Sequence, residues 1–192
     1  MSAGTDHFAF IRRDGSVEAH GENGEGQCNV PAPFGADLGG TYAQVSCGRY
    51  HTALLRKDGR VFAIGRNGYR QCEVDTCSPI RQVSAGAYHT VLLRLDGTVF
   101  AVGHNAHLQC DLELVKWDNW WDSWYGYAQV SAGDWHTVLL NTFGKAKAVG
   151  RNSDNQCDIP ELPRWSFPEV QYWLLACLLA CLLACPRLSA IA

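Results

Sequence analysis

Four histidines (His7, His51, His89, His136) and four Gln-Cys pairs (Gln27-Cys28, Gln71-Cys72, Gln109-Cys110, Gln156-Cys157) are the residues of this 192-residue chain with the most chemistry to offer. Imidazole and thiol together could hold zinc or form a nucleophile–base pair. Their spacing argues against both. No Cys-x-x-Cys occurs, and the closest pair outside the C-terminal tail is Cys72 and Cys77. More telling, each His and each Gln-Cys returns at a fixed place in a repeated unit. A catalytic group is expected once per protein, whereas an imidazole holding a turn carbonyl is wanted once per repeat. The histidines are therefore expected to be structural. The Gln-Cys pairs are expected to pack and to fix loops, since a free thiol behaves as a small hydrophobe. No Ser/His/Asp set, phosphate-binding glycine loop or paired carboxylates stand outside the repeat. Catalytic residues, metal and cofactor are all expected to be absent.

The unit that positions these residues is read from its other columns. Six residues before each Gln stands Gly21, Gly65, Gly103 or Gly150, and two after that Gly stands Asn23, Asn67, Asn105 or Asn152. A further six residues upstream come Gly15, Gly59, Gly97 and Gly144, and three before each His come Gly4, Gly48, Gly86 and Gly133. In the third unit Gln82–Gly86 reads as a short strand ending in a positive-φ glycine turn. His89–Leu93 is a second strand, rich in β-branched and large apolar residues. Asp96-Gly97 predicts a two-residue hairpin turn, and Thr98–Val102 returns antiparallel. Three short strands cannot bury two faces alone, so the units must stack on one another. The units run at about 1–28, 44–72, 82–110 and 129–157. Their cores are constant, while the offset from each Cys to the next Gln varies as 16, 10 and 19. A constant core with elastic connections at a period near 40 residues predicts a β-propeller rather than a helical solenoid.

Gly-x-x-His-Thr, then Asp-Gly-x-Val, then Gly-x-Asn, then Gln-Cys resembles the repeat of the regulator of chromosome condensation family. The compact unit is similar to the blade of the β-lactamase-inhibitor protein II type within that superfamily. The resemblance covers about residues 2–160. It implies a propeller of seven blades in the complete family fold, and leaves the function open, because members do unrelated jobs on one scaffold. Such repeats also occur in HECT-type ubiquitin ligases, and the founding member is an exchange factor for a small GTPase. Plant UV-B photoreceptors of the family carry Trp before the repeat His; here only Trp135 does.

The fold class expected is thus all-β: a partial propeller of about four three-stranded blades at 1–160, with an apolar C-terminal segment at 161–192 read as helical. Seven such blades would need about 300 residues, so the array is expected to be part of a ring, with both ends looking cut. The column of Phe62 and Phe100 holds Glu18 and Lys147 in the outer units, read either as capping charge or as drift at a surface position. In the tail, Leu-Leu-Ala-Cys occurs three times in tandem from Leu174. Three readings stay open there: a helix covering the open end of the array, a membrane-surface segment, or low-complexity sequence with no selected structure.

A net charge of −3 excludes a surface built to neutralise phosphates, so no nucleic acid is expected as partner. The start Met1–His7 lacks the basic and apolar stretches of a signal peptide, which places the thiols in a reducing compartment, the cytoplasm or the nucleus. The leading expectation is a non-catalytic module that binds one or more protein partners. The alternatives are the recognition part of a HECT-type ligase and a nucleotide exchange factor. Candidate contact residues are Arg49, Tyr50, Tyr88 and Trp135, at one end of the blades, and Trp120, Trp121 and Trp124 in the third linker. Trp and Tyr anchor interfaces because they bury much area for little lost entropy.

Overall fold

The computed structural model describes residues 1–31, 41–74, 78–115 and 126–160, all within one unit, Met1–Pro160. The C-terminal segment expected to be helical lies outside the described residues, as do Trp120, Trp121 and Trp124. Among the described residues, twelve strands form four antiparallel sheets of three. The first is β1 (Ser2–Ala3), β2 (His7–Ile11) and β3 (Val17–Gly21), and the second is β4 (Tyr42–Cys47), β5 (His51–Arg56) and β6 (Val61–Gly65). The third is β7 (Ile80–Ala85), β8 (His89–Arg94) and β9 (Val99–Gly103), and the fourth is β10 (Tyr127–Ala132), β11 (His136–Asn141) and β12 (Ala146–Gly150). The architecture is the partial propeller of four blades read from the repeat.

Two turns differ from the expectation. At the hairpin, Arg94 N–H donates to Thr98 O at 2.9 Å and Gly97 N–H to Arg94 O at 3.1 Å, leaving three residues in the loop. Gly97 takes φ +85°, the bulge glycine of a three-residue hairpin. Gly86 before the His does not adopt a positive φ. A Cβ there would lie 2.4 Å from His89 Cε1 and 2.4 Å from Gly133 O, so glycine is required for close approach and not for backbone freedom.

Blades stack face to face, and the alternation of each middle strand decides what meets what. Leu54 and Phe62 of the second blade face Ala9, Val17 and Ala19 of the first. Ala53, Leu55 and Val61, on its other face, meet Leu92 and Phe100 of the third. Val91 and Leu93 then meet Leu139 and Val149 of the fourth. Each junction thus has its own dry core, as stacked units require.

This assignment splits the two charged substitutions. Glu18 lies on the face of the first blade that no preceding described blade covers, paired with Arg12 and beside the stacked rings of Phe8, Phe10 and His20. Lys147 pairs across strands with buried Leu139, on the face turned to the third blade. Among the described residues, Glu18 thus faces away from the other blades, whereas Lys147 faces a neighbour.

Candidate protein-interaction face

The repeat histidines do not hold turn carbonyls, as the sequence suggested. Three of the four reach the next blade. His7 Nε2 lies 2.8 Å from Thr52 Oγ1, His51 Nε2 2.9 Å from Thr90 Oγ1, and His89 Nε2 3.0 Å from Thr137 Oγ1. Each Thr hydroxyl in turn donates at 2.8 Å to the backbone carbonyl of Gln27, Gln71 or Gln109, back in the blade that supplied the His. Because the hydroxyl proton is spent on that carbonyl, the oxygen accepts from the ring. Nε2 therefore carries the proton and the ring is neutral. A second proton on Nδ1 would find no acceptor at His7, His51 or His89. Burial accordingly pushes His51 down to about 3 and His89 to about 4, and lowers His7 as well.

The Gln-Val-Ser strands add a second clamp. Gln44 places its side-chain amide against the Val83 backbone, donating to Val83 O at 3.0 Å and accepting from Val83 N at 3.0 Å. Gln82 repeats this on Val130. Ser46 and Ser84 accept from Ala85 N and Ala132 N. These groups are consumed by stacking. The Gln-Cys pairs do the loop fixing expected of them: Asn67 Oδ1 accepts from Cys72 N at 2.9 Å, and Gln71 Oε1 from Tyr69 N at 2.9 Å. Burial raises the Cys72 thiol to about 11 and Cys110 to about 12, so neither is a nucleophile near neutral pH.

The same fixed columns project a different set of side chains beyond the blade ends. The His that starts each middle strand pairs with the Gly that ends the third strand, as His51 with Gly65, so their outer neighbours emerge together. Three positions per blade are displayed there. The residue before His is Asp6, Tyr50, Tyr88 or Trp135; the residue after Gly is Glu22, Arg66, His104 or Arg151; the residue two before Gln is Glu25, Tyr69, His107 or Asp154. Scaffold columns repeat and display columns vary.

Arg49, Tyr50, Tyr88 and Trp135 are brought together by this arrangement. Tyr50 and Tyr88 ring centres are 5.6 Å apart, and Tyr88 and Trp135 4.9 Å. Arg49 and Arg66 lie over the Tyr50 ring at 5.4 and 5.5 Å. Tyr69 stands edge-on to His104 at 4.7 Å, and His107 edge-on to Trp135 at 5.6 Å. Gln109 Nε2 donates to His104 Nδ1 at 3.0 Å, and burial with the neighbouring His107 lowers the His104 pKa. The middle of the face is therefore aromatic, with a fringe of guanidinium groups. Sequence reasoning missed Asp6, Glu22, Glu25, Tyr69 and His107. The column two before Gln would have found three of them by the alignment already in hand.

The pattern described as the regulator of chromosome condensation (RCC1) repeat matches residues 42–71, 80–109 and 127–156. The chain belongs to the RCC1-like repeat family. Its matches begin at the first strand of blades two to four and end at the Gln of the Gln-Cys pair. No curated protein matches the chain significantly. Among solved structures, human WBSCR16 is 21% identical with TM-score 0.63, covering 77% of this chain and 45% of that one. Yeast RCC1 (Prp20) bound to Kap60 is 20% identical with TM-score 0.60, covering 78% and 42%. The ectodomain of the Physcomitrella patens receptor kinase CR4 is 18% identical with TM-score 0.62, covering 82% and 42%. The chain thus spans less than half the length of each, and at these identities the likeness shows the fold.

Proposed function

We propose that the chain is a non-catalytic protein-binding module whose partner sits on the blade-end face centred on Tyr50, Tyr88 and Trp135. The observation that carries this reading is the division of labour within the repeat. Residues that clamp the blades recur, whereas the three display columns vary among blades, one of them in all four, while sharing one surface. His7, His51 and His89 are occupied in stacking and the thiols of the Gln-Cys pairs in loop fixing, which supports a binding role over a catalytic one. Solved relatives are described with protein partners, Kap60 in one case and Gsp1p and histones in another. A ligase would use this same face to select substrate, with catalysis on another domain, and an exchange factor would set it against a GTPase. Both differ from the leading reading only in the partner. The five described free thiols fit a reducing compartment such as the cytoplasm.

Photo-crosslinking tests the face. A benzophenone side chain at Tyr88 or Trp135 should capture the same protein from cells, identified by mass spectrometry. One at Leu95, exposed on the hairpin at the opposite blade end, should not. Capture from Leu95 alone would overturn the reading.

A further inference from the structure

At the first blade the display columns are all acidic: Asp6, Glu22 and Glu25. Together with Gly24, Gln27 and Tyr50 they line a cavity of about 650 Å³ between the first and second blades. Only part of this charge is answered from within. Glu25 lies 3.9 Å from Arg66, and Glu22 accepts from Gly24 N at 3.0 Å. Among the described residues neither Asp6 nor Glu22 meets a Lys or Arg. The carboxylates are also spread out, since no group of three His, Cys, Asp or Glu among the described residues converges as for a metal ion.

An independent sign of a ligand comes from Gln27. Its side chain is wholly buried, lines this cavity, and leaves Nε2 without a partner, while Oε1 accepts from Glu25 N at 3.0 Å. Of the equivalent amides, Gln71 Nε2 in the second blade is likewise without a partner but is not among the residues lining this cavity, whereas Gln109 Nε2 in the third is satisfied by His104 Nδ1. In the first blade that column holds Glu22, whose carboxylate is turned to Gly24. A buried N–H without an acceptor forfeits the hydrogen bond that water would have given it, so an acceptor arriving from outside is favoured.

From these features we infer that the pocket between the first two blades takes a lysine-bearing segment of the protein partner. The ammonium group lies among Asp6, Glu22 and Glu25, and a backbone carbonyl of the same segment accepts from Gln27 Nε2. A long flexible cation suits carboxylates that are too dispersed for a metal ion, and an ammonium's three donors can serve several of them. The inference rests on the end-face reading above and adds the chemical class of one contact.

The test uses the full chain and a fluorescein-labelled (Gly-Lys)5 peptide, with its lysine-acetylated form as control, followed by anisotropy in about 0.15 M salt, where distant charges are screened. The acetylated peptide should bind at least ~10-fold more weakly, and Asp6→Asn with Glu22→Gln should weaken the lysine peptide by a similar factor. Glu113→Gln, a remote exposed carboxylate, should leave affinity within about twofold. On the unmutated protein, the Gln27 side-chain amide resonance should shift on titration and that of Gln71 should not. No preference for unacetylated lysine, equal weakening by Glu113→Gln, or a silent Gln27 amide would each overturn the inference. If Tyr88→Ala abolishes partner crosslinking from Trp135 while the double carboxamide variant leaves it intact, the pocket fails and the end face stands.

Discussion

The junctions between blades and the ends of blades are built from neighbouring residues, yet they obey opposite rules. At the junctions the same side chains recur because each must meet a fixed complement: Nε2–H to a hydroxyl, hydroxyl to a carbonyl, amide to a backbone pair. One residue outward, at Tyr50, Tyr88 and Trp135 beside His51, His89 and His136, the neighbours are other display residues instead of a fixed hydrogen-bond complement. Type is then free to follow whatever binds there. Repetition in this chain marks load, and departure from it marks display.

Substitutions should separate the two regions cleanly. Gly86→Ala should have the largest effect, since neither the Gly133 carbonyl nor the buried His89 ring can retreat. A loss of about 4 kcal/mol or outright failure to fold is expected in thermal and denaturant melts. Gly144→Ala, with open space around it and only φ +77° to resist it, should cost about 1 kcal/mol.

Acid should come next. Burial depresses the folded pKa of His51 and His89 below the ordinary imidazole value of about 6.5, so the unfolded chain binds protons first as pH falls. Stability is therefore full above about pH 6.5 and declines below it, on the order of 2 kcal/mol per ring by pH 5, levelling off for His89 near pH 4 and for His51 near pH 3. Urea melts from pH 7 to 4 check this, and a flat profile between pH 6.5 and 5 would contradict the neutral relay.

Thr90→Val keeps shape and removes one hydroxyl, leaving His51 Nε2–H and the Gln71 carbonyl unmet, for an expected loss of about 2–3 kcal/mol. Tyr88→Ala, two residues away, should change stability by about 1 kcal/mol or less and abolish partner capture instead. Equal melts for the pair would erase the distinction between the regions. The smallest stability change, within about 0.5 kcal/mol, is expected for Glu18→Phe on the face of the first blade that no other described blade covers. There a third phenylalanine beside Phe8 and Phe10 should appear as self-association in sedimentation.

Much of this fold was legible in the sequence, because fixed offsets between glycines, His and Gln-Cys name the strands and turns of one unit. What joins units was not. His51 and Thr52 are adjacent in sequence, which suggests a local partner, but the bond runs from His51 to Thr90, across 39 residues. Periodicity cannot tell a contact within a unit from the same contact one period on. The glycine before each His was misread for a related reason: a ring lying on the backbone and a positive φ both demand glycine. Glu18 and Lys147 looked alike as charges in an apolar column, and only the order of blades shows that one faces outward and the other a neighbour. On the blade-end face, aromatic residues stood out by type, whereas Asp6, Glu22 and Glu25 are unremarkable acids until the columns bring them to one cavity.

The His–Thr–Gln relay has a mechanical corollary. Every relay crosses a single junction and returns, so no blade is clamped to any but its immediate neighbours. Under tension applied along the chain, the array should therefore yield as a series of separate fractures instead of one. Each would release the chain between successive Gln-Cys pairs, 44, 38 or 47 residues, which corresponds to contour steps of about 140 to 170 Å. The order of fracture would follow the strength of each junction.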